Sequence, residues 1–326
     1  MRIAVVMANH EELVRLLREG VPANVELVGA FPPEDLPDKS NVDGSIGYWF
    51  PAEEEAPRLR WIHCPNAGFD DLPEHVLRSK QWTFTHGGGA GAVPIAEWTL
   101  ASMLFFAHRF RKILRHEADR TWYKSRVAEM SGSVLFGAKI GIVGYGAIGR
   151  QVARLCKAFG MEVHASLGTQ GKIQRPTYRT AGTGDPEGNL PDRWFSMDEF
   201  TDLLPEWDYV VLYLRVTDRT RDLICAESFP RFKRSAVLIN AARGALVDED
   251  ALADALKQGL LGGAVLDVFK TEPLPADHPL RDAPNLLISP HCSPEGKWYQ
   301  EEVRASLREN IRKFSRGEPL LNVAGG

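Results

Sequence analysis

Three short stretches in the last third of the chain carry residue types that cooperate in proton and carboxylate chemistry. They are Asn240-Ala-Ala-Arg-Gly-Ala-Leu-Val-Asp248, Ala264-Val-Leu-Asp-Val-Phe-Lys-Thr-Glu-Pro273 and Ile288-Ser-Pro-His-Cys292. An arginine guanidinium grips a carboxylate through two parallel hydrogen bonds, and an imidazole exchanges a proton near neutral pH. A carboxylate beside the imidazole keeps the imidazolium charged and oriented. Arg243, Glu272 and His291 each fall just beyond a short apolar run, the predicted C-terminal end of a strand, where open parallel sheets bind ligands. Singly, an arginine caps carbonyls, a glutamate is surface charge and a histidine is a satisfied loop residue. Jointly, they are equipped to reduce a 2-oxo acid.

The second signal is Gly144-Tyr-Gly-Ala-Ile-Gly149. It follows a predicted strand, Lys139 to Val143, and opens a predicted helix, Ala147 to Phe159, closed by Gly160 before another strand. That context turns a weak glycine pattern into a dinucleotide fingerprint. Gly144 allows the tight turn, Gly146 the approach of a pyrophosphate, and Gly149 close helix packing, while the helix N–H groups around Ala147 and Ile148 face the anion. One element departs from the pattern. The second strand, Glu162 to Ser166, lacks the acid that normally follows it to bind the ribose hydroxyls: Leu167 stands there, Glu162 is at the wrong end, and the next acid is Asp185. With no carboxylate to repel a 2′-phosphate, NADP is favoured over NAD, and Ser166, Thr169, Lys172, Arg175 and Arg215 are candidate donors.

Short apolar runs alternating with amphipathic segments predict parallel strands joined by helices, an α/β fold. Strands are expected near Ile3 to Met7, Val25 to Val28, Ser45 to Tyr48 and Leu59 to Cys64, with a helix from Glu11 to Arg18. A long helix is expected from Val93 to about Glu117. Six further strands, near Ile140, Glu162, Tyr209, Val237, Ala264 and Leu286, make a full dinucleotide-binding sheet. A last helix from Glu295 to about Phe314 returns the chain to the first domain. The expected division is a discontinuous substrate domain, residues 1–100 and 296–326, and a dinucleotide-binding domain, residues 101–295. The stretch from Gly168 to Trp194 has no sustained period, and loops of that length are usually functional or mobile.

A chain of 326 residues has room for two domains, and its 44% hydrophobic and 25% charged content is that of a folded globular protein. A net charge of −4 and a pI near 6.2 give no basic field for a nucleic acid or an anionic membrane. The 4 cysteines are far apart, without metal-ligand or disulfide spacing, so no metal site is expected. No signal peptide and no apolar stretch near the ~18 residues of a membrane span are visible, and a cytoplasmic location is expected.

Taken in order, the fingerprint, the Asn240 to Asp248 stretch, Leu266-Asp-Val-Phe-x-x-Glu-Pro273 and Ser289-Pro-His291 resemble the D-isomer-specific 2-hydroxyacid dehydrogenase family over almost the whole chain. Asn66-Ala-Gly-Phe-Asp70 resembles the family loop that holds a substrate carboxylate, and Val93-Pro-Ile-Ala-Glu97 the start of its long helix. The resemblance implies two Rossmann-like α/β domains with an interdomain cleft, the larger a doubly wound parallel sheet binding NADP or NAD. It implies Arg243 on substrate carboxylate and carbonyl, His291 as acid/base, Glu272 as its partner, and Gly68 with Phe69 as carboxylate donors. Asp267 would hold the nicotinamide carboxamide, and Leu214, Arg215, Thr220 and Ala241 would line the cofactor. Arg215 replaces a common proline. Glu272 and Ala67 disfavour the branches acting on formate and phosphite, which carry Gln and Lys there. The implied activity is reversible reduction of a glyoxylate-like, hydroxypyruvate-like or larger 2-oxo acid to the D-2-hydroxy acid by a homodimer. The same family holds transcriptional corepressors, so an NAD(P)(H)-sensing regulator is the alternative. The absence of a long disordered tail and of a basic surface weighs against it.

Overall fold

The computed structural model describes residues 1–68, 72–122, 127, 130–166 and 177–324. The chain divides into two compact units: Met1–Gly91, Gln174–Ala181 and Glu295–Gly326 in the first, Ala92–Ile173 and Gly182–Pro294 in the second. The boundaries differ from those expected at 100/101 and 295/296, and a short internal segment joins the first unit.

The first unit is a parallel sheet of β1 (Arg2–Val6), β2 (Glu26–Ala30), β3 (Gly44–Gly47), β4 (Trp61–Cys64) and β5 (Thr83–His86), in the order β2-β1-β3-β4-β5. Every residue of β4 is buried, as expected of a strand covered on both faces, which therefore reads as a continuous run rather than an alternation. Helix α1 (His10–Arg18) buries Leu13, Val14 and Leu17, and α2 (Glu74–Arg78) precedes β5. Leu307, Ile311 and Leu320, from the far end of the chain, share one apolar cluster with Ile3, Val5, Ile46 and Trp61. Thr85 of β5 makes an antiparallel bridge to Val323, so the outer strand does not stay an open edge.

The second unit opens with α3 (Ala92–Ala107) and α4 (Phe110–Ala118), where the sequence predicts one helix. The break has a tertiary cause. The Ala107 carbonyl accepts the N–H of Ser133 at 2.9 Å instead of continuing the helical ladder, and Arg109 turns left-handed at φ 55°. The sheet follows: β6 (Lys139–Val143), α5 (Ala147–Ala158), β7 (Glu162–Ser166), β8 (Arg193–Phe195), α6 (Phe200–Leu203), β9 (Tyr209–Leu212), β10 (Val237–Asn240), α7 (Glu249–Lys257), β11 (Gly263–Leu266) and β12 (Leu286–Ile288), before α8 (Lys297–Arg316) in the first unit. The order is β12-β11-β10-β9-β6-β7-β8, all parallel. Strand β8, not expected from the sequence, is three residues long at the sheet's outer edge, too short to show a period. Chain order reverses between β6 and β9, the switch point at which such sheets bind ligands.

In the first unit, His63 is 1% exposed, with Nδ1 2.9 Å from the Thr85 hydroxyl oxygen. Burial above all, and the nearby His86, pull its pKa down from 6.5 to about 3. The unfolded chain therefore takes up a proton below about 6.5 that the folded chain refuses, so this contribution to stability is complete above that pH and is lost as pH falls toward 3. The expected slope is ~1.4 kcal/mol per pH unit within that window. Denaturant unfolding of the wild type and of His63→Gln between pH 4 and pH 7 tests it: the variant should flatten the curve, and equal slopes would refute the account.

Candidate active site

Strand register sets the site. Val143, Leu212, Asn240, Leu266 and Ile288 pair in one row across β6, β9, β10, β11 and β12. Each strand ends at or beside that row, so Gly144, Leu214, Ala241, Arg243, Asp267, Glu272 and His291 all emerge from one edge. Four inter-strand steps of ~4.8 Å separate β6 from β12, roughly 19 Å of ligand-facing edge.

Arg243 owes its place to Asn240, which is 0% exposed. The Asn240 side chain accepts the Ala242 N–H at 3.1 Å and donates to the Arg243 carbonyl at 2.8 Å, coiling the turn through its own amide. Arg243 itself is half-buried, and its Nη1 donates to the Ala242 carbonyl at 2.7 Å. The next residue must be glycine: a Cβ at Gly244 would lie 2.0 Å from the Phe269 carbonyl carbon. That close approach brings the Arg243 turn against the loop leading to Glu272.

Two carboxylates hold that loop through successive N–H groups. The Phe269 N–H donates to Glu272 Oε1 at 2.8 Å and the Lys270 N–H to Glu249 Oε1 at 2.6 Å. Glu249 is buried, which raises its pKa against the opposing effect of the Lys270 N–H. The other oxygen of Glu272 lies 2.8 Å from Nδ1 of His291.

His291 adopts a left-handed backbone, φ 52°, which costs on the order of 1 kcal/mol for a residue with a Cβ. Asp267 holds it there. The His291 N–H donates to the Asp267 carbonyl at 2.8 Å. The Asp267 carboxylate accepts the Ser289 hydroxyl at 2.6 Å and the Cys292 and Ser293 N–H groups at 2.9 Å each. Burial opposes its ionisation, but these hydrogen bonds outweigh burial and hold the carboxyl below its usual pKa. The resemblance casts Asp267 as a nicotinamide contact; the geometry gives it the further task of shaping the histidine turn. Sequence reasoning missed this, as it missed Asn240 and Glu249, although an Asn three residues before an Arg at a strand end is an available turn signal.

The fingerprint lies at the switch point. Gly144 has φ 109°, and its N–H donates to the Ser166 hydroxyl oxygen at 2.7 Å. Ser166 is thus buried beneath the turn, and any contact it makes with a ribose is additional to that. Gly146 caps α5 without any side-chain hydrogen bond, and the space a Cβ would enter there holds no atom within 4 Å. The first-turn N–H groups at Ala147 and Ile148 therefore face an open cradle fit for a pyrophosphate. Gly149 lies buried in the first turn of α5. Leu214, Arg215 and Thr220 form the loop after β9, closed by the Thr220 hydroxyl donating to the Arg215 carbonyl at 2.7 Å. Ala241 is buried directly after β10. Thr169, Lys172 and Arg175 lie outside the described residues, as does Phe69. In the first unit Gly68 is half-buried in the loop after β4, whose start is fixed by the Tyr48 hydroxyl donating to Asn66 Oδ1 at 2.9 Å.

Fold and site define a dinucleotide-dependent oxidoreductase. Residues 100–293 match the family described as D-isomer specific 2-hydroxyacid dehydrogenase, NAD binding domain. The chain belongs to this D-isomer specific 2-hydroxyacid dehydrogenase family of NAD(P)-dependent enzymes. It is 31% identical over 297 residues to glyoxylate/hydroxypyruvate reductase B of Pectobacterium carotovorum, covering 90% of this chain and 88% of the relative. It is 28% identical over 328 residues to D-3-phosphoglycerate dehydrogenase of Methanocaldococcus jannaschii, covering 99% of this chain but spanning only 59% of that relative's length. A family protein of Aeromonas salmonicida superimposes with a TM-score of 0.80 at 25% identity, over 99% of this chain and 98% of the other.

From the pairing of His291 and Glu272, His291→Ala should lower kcat by ~10²-fold or more, the usual contribution of general acid catalysis. Glu272→Gln should lower it by about tenfold, because an amide cannot stabilise the imidazolium charge. Both should leave dinucleotide affinity within about twofold. Steady-state rates with fluorescence titration of the dinucleotide check this, and near-normal turnover in His291→Ala would reject the assignment.

Proposed function

We propose that the protein reduces a 2-oxo acid, reversibly, to the D-2-hydroxy acid. The observation that carries this reading is the 2.8 Å pairing of His291 with Glu272, level with Arg243 and with the glycine cradle along one sheet edge. The bound dinucleotide supplies or accepts the hydride. Glu272 faces Nδ1 of His291, so the proton between them belongs on Nδ1 and Nε2 is left for the substrate. In the reducing direction His291 donates that Nε2 proton to the carbonyl oxygen as negative charge develops on it. Arg243 grips the carboxylate and polarises the carbonyl. Gly68 and Phe69 are the proposed carboxylate donors of the first unit, and Asp267, Leu214, Arg215, Thr220 and Ala241 the proposed lining of the cofactor. The Pectobacterium relative, named for glyoxylate and hydroxypyruvate, supports a small substrate.

For the cofactor we place NADPH at least level with NADH. Glu162 stands at the first residue of β7, 3.0 Å from Lys139 and 2.8 Å from His164, not at the end where the ribose lies. A charge-assisted hydrogen bond to a 2′-phosphate is worth about 1.5–3 kcal/mol, roughly tenfold or more in preference. A cytoplasmic location fits the 4 cysteines, all free thiols. A homodimer fits the apolar side chains Phe110, Ile113 and Leu114 exposed on α4, the second half of the helix expected to be continuous.

One panel tests the reading. The protein should oxidise NADPH with at least one of glyoxylate, hydroxypyruvate, pyruvate or an aromatic 2-oxo acid, giving the D product on chiral analysis, and Arg243→Ala should abolish turnover while sparing cofactor binding. Failure of every acid overturns the activity, and a preference for NADH of about tenfold or more overturns the cofactor assignment. Light scattering at micromolar concentration should return a dimer mass, and a monomer mass would refute that assignment.

A further inference from the structure

Residues 177–192, the described part of the chain between β7 and β8, have no role in the chemistry above, yet they contain a buried carboxylate. Asp185 is 4% exposed and faces the fingerprint turn. The Tyr145 hydroxyl donates to Asp185 Oδ2 at 2.6 Å, and the Asn189 and Leu190 N–H groups donate to the same carboxylate at 3.0 Å and 3.1 Å. The Arg150 guanidinium stands 4.9 Å over the Tyr145 ring and donates to the Asp185 carbonyl. Gln151, the next residue of α5, accepts the Gly184 N–H at 2.6 Å, and Trp194 packs edge-on with the Tyr145 ring, centroids 4.9 Å apart at 82°.

Tyr145 is the residue between Gly144, which makes the tight turn, and Gly146, whose backbone must approach a pyrophosphate. Glycine on either side of Tyr145 leaves those two positions without a Cβ to restrict them, so the shape of the turn has to be imposed by its contacts. Ser166 holds the Gly144 N–H from one side, and Tyr145 supplies the turn's own side chain by which the rest is held. Burial first, then the hydrogen bond to Asp185, push the Tyr145 phenol well above its usual pKa, so it stays an O–H donor. Asp185 stays ionised because the hydrogen bonds from Tyr145, Leu190 and Asn189, with the charge of Arg150, outweigh its burial.

We propose that Asp185 is a positioning residue for the dinucleotide: through Tyr145 it locks the glycine turn in its binding conformation, and residues 182–190 are the buttress that carries it. The proposal rests on the reading of that turn as the pyrophosphate cradle. It gives the first acid after β7 a task other than ribose recognition. If the turn samples other conformations once unlocked, the apparent Kd rises by the inverse of the competent fraction. Because the pyrophosphate is common to NADH and NADPH, the factor is the same for both.

The test measures Kd for NADH and NADPH by fluorescence titration, with kcat, KM and Tm, in Asp185→Asn, Tyr145→Phe and the double variant. Tyr145→Phe keeps the ring and its contacts with Arg150 and Trp194, so it reports even if Asp185→Asn fails to fold. Each variant should weaken both cofactors by one common factor of about three- to tenfold, the size of one lost hydrogen bond. The rate at saturating cofactor should stay within about twofold of wild type, and the double variant should be no weaker than the worse single one. A fall in Tm with unchanged Kd would make the network merely structural, and a changed NADH/NADPH ratio would make Asp185 a ribose contact; either overturns the proposal. Wild-type protein that binds neither dinucleotide would overturn the reading of the turn itself, and the proposal with it.

Discussion

Asp267 carries a negative charge at 0% exposure, a placement that costs several kcal/mol unless the charge is fully hydrogen-bonded. Its donors are Ser289, Cys292 and Ser293, the residues flanking His291. Solvating this buried charge and shaping the catalytic turn are therefore one event. The chain cannot satisfy the carboxylate without wrapping residues 289–293 around it, and that wrapping forces His291 into a left-handed backbone with its ring toward Glu272. A weaker acceptor would leave the histidine free to relax to an ordinary conformation, and the pair would separate.

The same economy governs the rest of the edge. Asn240 spends its amide on the turn of Arg243, Glu249 takes the Lys270 N–H, and Gly244 lets two loop backbones touch. Asn240, Gly244 and Glu249 stand at or after the end of β10, whose register is held by its backbone pairing with β9 and β11. The rigid sheet supplies the coordinates and the polar loop residues convert them into orientation.

The sequence makes some of this visible. Buried parallel strands read as short apolar runs, so Arg2–Val6, Trp61–Cys64 and Val237–Asn240 fall close to where the runs lie. Glycines at fixed offsets betray the cradle, and Arg243, Glu272 and His291 betray the chemistry by type and order. What the sequence does not disclose is long-range pairing. The helix from Val93 looks continuous because the group that ends it, Ser133, lies far downstream. Asp185 looks like a loop acid because nothing local announces Tyr145 as its partner. Residues 177–181 look like part of the second unit because their place in the first depends on contacts such as Tyr178 with Glu302, at 2.9 Å. Asp267 was legible as a strand-end acid, but its donors were not.

The apolar cluster that joins Leu307, Ile311 and Leu320 to Ile3, Val5 and Trp61 bears on the order in which the protein is made. Translation proceeds at ~5–20 residues per second, and domains fold as their sequence emerges. The second unit lies within residues 92–294 and has all of its strands once those have left the ribosome. The first unit begins earlier but must wait, its β1 and β4 lacking the cover of α8 until the last of the chain arrives. For some ten seconds or more at these rates, β1 and β4 therefore wait without that cover, and they are the segments most in need of chaperone protection during synthesis.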